Sequence, residues 1–132
     1  METNNKYAKI EKLKSKKAID LLFRKGKSIN ASPFRMVYLP KLTTEGSPIS
    51  MGITVSKKNI KLAVNRNLIK RRVREAYRLN NKELKFYMEA IGVEINIMFI
   101  YTSKQILSYK EIETKIKVIL TRLIENSEKA SE

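Results

Sequence analysis

The sequence predicts a single α+β domain, and three observations carry that prediction. Apolar residues recur at three-to-four spacing in several separate stretches, PFRMVYLP alternates from side to side, and VEINIMFIY is apolar almost throughout. A chain of 132 residues without internal repeats has the length of one domain with one modest core.

Taken in order, residues 1–12 are polar and read as a flexible basic N-terminus, 13–127 as the folded domain and 128–132 as a polar tail. A helix is predicted from Ser15 to Lys25. Ser15 can cap it, Ile19, Leu22 and Phe23 share one face, and Gly26 is placed to end it. In the strand from Pro33 to Pro40, Phe34, Met36 and Tyr38 point one way and Arg35, Val37 and Leu39 the other. KLTTEGSP then reads as a turn with Gly46 and Pro48 as breakers, and SMGITVS as a second strand antiparallel to the first, which predicts a hairpin. A helix follows from Asn65 to Leu79 and resumes after a break from Glu83 to Ala90. Gly92 punctuates it, Val93 to Tyr101 is the most apolar strand, and Tyr109 to Asn126 closes the chain as a helix with Ile112, Ile116, Ile119, Leu120, Leu123 and Ile124 inward.

Composition restricts the chemistry. The chain has no His, no Cys and a single Asp, Asp20, and its glutamates show no metal-ligand spacing. Its four glycines make neither a phosphate loop nor a dinucleotide fingerprint. Most protein-based hydrolysis needs a His base, a thiolate or carboxylates around metal ions. No catalytic side chain and no protein-held metal are therefore expected, and the protein is expected to act by binding. There is no apolar run long enough to span a bilayer and no secretory signal, so the expectation is a cytoplasmic protein without a membrane partner or a small-molecule substrate.

Charge points to the ligand. Against 28 Lys and Arg stand 13 acids, a net charge of +15, the balance of a polyanion binder. The excess is local: residues 1–27 hold nine cations and three acids, residues 57–78 nine cations and one acid, and residues 109–132 five of each. The closing helix therefore reads as structural. In NRNLIKRRVREAYR, Asn65 to Arg78, six cations have Glu75 as their single acid. At 100° per residue, Arg66, Asn67, Lys70, Arg71, Arg74 and Arg78 fall within an arc of about 140°. Like charges at i,i+4 oppose helix formation by a few tenths of a kcal/mol per pair, roughly, and Arg66, Lys70, Arg74 and Arg78 form three such pairs. A polyanion relieves that repulsion where a merely solvated face would interleave acids. Arg72 projects towards the apolar side, so either it snorkels past the core edge or the helix is turned from this wheel. Asn65 reads equally as a helix cap or an RNA contact, with Lys57, Lys58 and Lys61 just upstream.

VSKKNIKLAVNRNLIKRRVREAYR, Val55 to Arg78, closely resembles the signature region of the bacterial ribonuclease P protein subunit. The likeness extends through DLLFRKGKS, FRMVYL, MGITVSKK, INIMFIY and the last helix. It implies an α/β sandwich like domain 2 of ribosomal protein S5, a four-stranded sheet with about three helices and an uncommon left-handed crossover. It further implies two partners, a catalytic RNA and precursor tRNA. The RNA subunit, with Mg2+ as cofactor, removes the 5′ leader while the protein holds that leader. Position by position, Arg66, Asn67, Lys70, Arg71 and Arg74 match the basic motif that faces the RNA subunit, with Arg78 continuing the stripe. Leu68 stands where the family usually has a third basic residue. For the leader, Phe23 matches a stacking aromatic and Ile19 replaces a second; either Val37 or Tyr38 lies near a third position, and Lys57 and Lys58 match the basic pair at the cleft edge. Strand aromatics such as Phe34, Tyr38, Phe99 and Tyr101 are more often core than platform. The competing reading is a non-enzymatic RNA-binding or ribosomal protein on the same fold.

Overall fold

The computed structural model describes residues 12–41 and 48–130, so most of the basic N-terminus, the KLTTEGSP turn apart from its ends, and residues 131–132 lie outside the described chain. The element order is α1 (Lys16–Lys25), β1 (Lys27–Ala31), β2 (Phe34–Pro40), β3 (Ile49–Val55), α2 (Ala63–Asn80), α3 (Lys82–Ile91), β4 (Ile95–Tyr101) and α4 (Tyr109–Ala130). The strands form one mixed sheet in the order β1-β2-β4-β3. β2 is antiparallel to both β1 and β4, whereas β3 and β4 are parallel. A parallel pair needs a long crossover, and α2 with α3 supplies it.

The expected β2–β3 hairpin does not form; the two strands instead flank β4. β4 carries apolar residues on both faces, and a strand of that kind belongs in the sheet interior, where helices cover both sides. The hairpin lies one element earlier, where Ser32 and Pro33, joined by a cis peptide bond, turn β1 into β2. KSINA gives little sign of β1, since only Ile29 is fully buried in it. Four helices replace the expected three or so, because the chain breaks at Asn81 and α3 is a separate helix.

Two unequal cores cover the two faces of the sheet. On one face Met36, Ile97 and Phe99 meet Ile69 and Val73 of α2 and Ile116 of α4. The rings in this layer pack edge to face: Phe34 lies 5.8 Å from Phe99 and 5.5 Å from Tyr101, and Tyr77 lies 6.2 Å from Phe99. On the other face α1 packs, with Leu22 seated on Val37 and Met98 and with Leu13, Ile19 and Ile100 beside them. The strand alternation thus holds as read from the sequence, with Phe34 and Met36 towards α2 and α4 and Val37 towards α1.

Local signals place α1 as expected. The Ser15 hydroxyl oxygen accepts from the Ala18 N–H at 3.2 Å, and the Gly26 N–H closes the helix on the Leu22 carbonyl at 2.8 Å. Gly26 has φ −70°, so handedness does not demand glycine there. Space does: a Cβ would overlap the Leu22 carbonyl and lie 2.6 Å from Val37 Cγ1. Gly92, by contrast, ends α3 in the left-handed region at φ 71° and donates to Glu89 and Met88 carbonyls. The closing helix reaches Ala130, four residues past Asn126.

Gly26→Ala is expected to push α1 off the sheet and lower unfolding stability by about 1–3 kcal/mol, the usual cost of overpacking, read from urea melts.

Candidate nucleic-acid interface

The packing of α2 decides which of its cations are displayed. Ile69, Val73, Ala76 and Tyr77 are buried against the sheet, and Arg71 lies about 160° around the helix from Ile69 and Val73. α2 packs beside α4, with α4 over the β1 side of the sheet and α2 over the β3 side. Arg72 fixes which flank faces which neighbour, because its Nη1 donates at 2.6 Å to the Leu107 carbonyl in the segment before α4. That segment is itself held by Tyr101, whose hydroxyl donates to the Gln105 carbonyl at 2.7 Å and accepts from the Leu107 N–H at 3.2 Å. Arg72 therefore neither snorkels to solvent nor reorients the helix; it ties α2 to the β4–α4 connection.

The opposite flank, with Asn67, Lys70 and Arg74, consequently looks away from α4 and past the β3 edge. Lys57, Lys58 and Lys61 leave β3 at that same edge, all three exposed. Their backbone is folded into a compact turn, with the Asn59 N–H on Ser56 Oγ at 3.2 Å and the Ile60 N–H on the Ser56 carbonyl at 3.0 Å.

The six predicted residues of the stripe are not equivalent. Lys70, Arg71 and Arg74 have no acidic partner among the described residues. Arg66 donates through Nη1 to the Ile60 carbonyl at 2.9 Å and the Lys61 carbonyl at 2.8 Å, so it shapes the lysine turn. Arg78 is paired with Glu75 at 2.8 Å. Hydrogen bonding to Arg78 holds the Glu75 carboxyl below its usual range, and the same bond raises Arg78. The single acid of the segment thus compensates the last cation and leaves the first three turns unneutralised. Asn65 is not a cap, since α2 begins two residues earlier at Ala63 and Leu62 precedes it without a side-chain cap. Leu68 is half-buried on the flank towards α4, away from Lys70 and Arg74.

The residues expected from the sequence to hold a leader divide between two faces of the sheet. Phe23 is 47% exposed on α1, one turn after half-buried Ile19, so the ring is a surface feature and not core. Val37 is on the α1 face but sealed under Leu22, whereas Tyr38 packs on the opposite face against the larger core. Sequence reading missed one row of this face. Asn30, Arg35, Ile100 and Thr54 are cross-strand neighbours running over the whole sheet beside α1, with Asn30 and Arg35 exposed and Ile100 and Thr54 half-exposed. Its signal was present in the sequence: Arg35 alternates with buried Phe34 and Met36, so a cation stands on a sheet face that is left uncovered at that level.

The α1 face and the α2 flank meet along β3. The Leu13 N–H bonds to the Met51 carbonyl at 3.1 Å, which brings the start of α1 alongside this strand. Lys12, level with Met51, is thereby about 20 Å along β3 from Lys57, and Lys14, Lys16 and Lys17 follow it at the start of α1. The described lysines before and at the start of α1 and those that follow β3 thus flank one strand.

The family described as Ribonuclease P matches residues 7–124. The chain belongs to the ribonuclease P protein family. A ribonuclease P protein component from Porphyromonas gingivalis is 32% identical over 119 residues, covering 90% of this chain and 87% of that one. One from Chlorobium phaeobacteroides is 30% identical over 127 residues, covering 88% and 86%. The ribonuclease P protein of Thermotoga maritima superposes with a TM-score of 0.65 at 25% identity over 85% of this chain and 96% of that one. That of Staphylococcus aureus superposes with a TM-score of 0.69 at 23% identity, over 87% and 96%. The four-stranded mixed sheet with its helices is the fold these ribonuclease P proteins share. As a member of the family the chain is a subunit of ribonuclease P, the endoribonuclease of tRNA 5′ maturation, and a partner of the ribonuclease P RNA. The family match separates this reading from that of a ribosomal protein on the same fold.

Arg72→Ala is expected to lower stability by about 1–3 kcal/mol, the range for a lost hydrogen bond to a charged group, and to speed amide exchange in residues 102–108. The salt dependence of RNA binding should stay unchanged, since Arg72 points at protein.

Proposed function

We propose that the protein docks on ribonuclease P RNA through the outward flank of α2 and the lysine turn, and holds the 5′ leader of precursor tRNA along the α1 face. One observation carries the docking half of this reading: Lys70, Arg71 and Arg74 stand on the flank turned away from α4, without an acidic partner among the described residues. Phosphates neutralise such a row and release its counterions. Arg66 holds the turn that presents Lys57, Lys58 and Lys61. Arg78, already paired, contributes least.

For the leader, Phe23 supplies a stacking face and Ile19 an apolar contact beside it. Arg35 and the lysine pair Lys57 and Lys58 supply charge along the strip of sheet next to α1. Val37 acts from beneath by seating Leu22. No three carboxylates, His or Cys gather into a metal-binding set among the described residues. In this reading the Mg2+ that supports leader cleavage is held by phosphates of the catalytic RNA, and the protein's part is to position and neutralise. Among the described residues no helix is long and apolar enough to cross a membrane.

Lys70→Ala, Arg71→Ala and Arg74→Ala should each weaken binding to a bacterial ribonuclease P RNA and flatten the log–log salt slope by about 0.7–0.9 per lost phosphate contact. Unchanged slopes in all three variants would put the docking surface elsewhere. In the reconstituted holoenzyme at low Mg2+, wild-type protein should increase 5′ processing of precursor tRNA. Phe23→Ala should lower its preference for leader-bearing over leaderless tRNA by roughly 1–3 kcal/mol, the value of one base stack.

A further inference from the structure

A cavity of about 280 Å³ opens at the end of the sandwich opposite the Lys57 turn, where β2 finishes and β4 begins. Leu39, Met88, Ile91 and Val93 make its apolar walls, and Tyr38, which packs away from α1, forms part of its lining. Lys25, Lys27 and Asn126 also line it, and among the described residues no acid does. The volume is below the range that encloses a drug-sized molecule and suits a single planar ring system.

The two lysines are placed by the tight passage at Gly26. Lys25 ends α1 and Lys27 begins β1, directly across from Tyr38 in the strand register. Gly26 between them is pressed onto Val37 and the Tyr38 carbonyl, so both lysines are held at one spot. An apolar slot with an aromatic wall, an amide and two cations offers what an unpaired nucleotide requires: a stacking face, an edge to hydrogen-bond and charge for its phosphate. Phe23 lies four residues before Lys27, at most about 14 Å of backbone away. A single strand that stacks on Phe23 can therefore turn past the end of α1 to this cavity.

We infer that the Tyr38 cavity is a second subsite for the single strand, taking one further unpaired leader nucleotide beyond that held at Phe23. The inference rests on the leader reading above. It assigns Tyr38 a place separate from the α1 face on which Phe23 and Val37 lie.

The test is the affinity of the reconstituted holoenzyme for precursor tRNA carrying leaders of graded length. Tyr38→Leu keeps an apolar wall and removes the ring, and Ile91→Phe fills the mouth from a position that is 40% exposed. For both variants the gain in affinity with leader length should level off at a shorter leader than for wild type. Affinity for the longest leader should fall about ten-fold while that for leaderless tRNA is unchanged. Lys27→Ala should flatten the salt slope for long leaders alone, by about 0.7. If both cavity variants bind long leaders as wild type does while Phe23→Ala still loses leader preference, the second subsite is overturned and the leader reading stands. If Phe23→Ala also retains that preference, the leader reading falls with it. An equal loss for leaderless tRNA would likewise overturn the subsite, and melting curves of each variant identify a loss caused by unfolding.

Discussion

The burial of β4 on both faces is the constraint from which the rest of the molecule follows. Ile97, Phe99 and Tyr101 enter the larger core while Met98, one register step away, enters the smaller one. A strand that is apolar on both sides has to be central, so β2 and β3 take its two edges and the chain between β3 and β4 has to cross over. The crossover contains the basic helix. Its buried stripe of Ile69, Val73, Ala76 and Tyr77 is what anchors α2 on the sheet, and hydrophobic burial of that size, about 1.5–3 kcal/mol for a large side chain, outweighs the few tenths of a kcal/mol in each like-charge contact on its outer side. Packing of the inner face permits the display of charge on the outer one.

Direction matters as much as charge. Of the six cations on α2, Arg72 binds a carbonyl of the chain, Arg78 binds Glu75, and Arg66 uses one nitrogen on the turn before the helix. Only part of the formal charge is therefore turned outward, and it is concentrated in the middle turns of the helix, at Lys70, Arg71 and Arg74. The arrangement gives the charge an orientation: it runs from the lysine turn through the middle turns of α2 and is neutralised by Glu75 at Arg78. The α1 face has the opposite character, with one exposed ring, a half-covered strip of sheet and scattered cations, a surface suited to unpaired nucleotides more than to a duplex backbone.

Much of this was legible in the chain. Helix positions, the cap at Ser15, the alternation in β2 and the basic stripe all follow from spacing, because periodicity reports which side of an element is buried. Strand partnership was not legible, since alternation says nothing about which strand lies next to which, and so Ser50 to Ser56 was joined to the wrong neighbour. β1 was hidden by its single buried side chain. The site was legible as a set of residue types and not as a geometry: Arg66, Arg72 and Arg78 look alike in sequence, and it is the carbonyls of Ile60, Lys61 and Leu107 and the carboxylate of Glu75 that tell them apart. The choice between Val37 and Tyr38 likewise depends on a register that only the pairing of β2 with β4 supplies.

β3 is an edge strand, and Lys12 with Leu13 occupies part of its open side through the bond to Met51. Unpaired strand edges invite a second chain to add to the sheet. Here the approach is guarded twice, by a backbone already hydrogen-bonded at Met51 and by Lys12 beside Met51 with Lys57 and Lys58 just past the end of the strand. An identical molecule that adds a strand to β3 would have to bring its own lysines against these, so the edge is protected by charge as well as by hydrogen bonding.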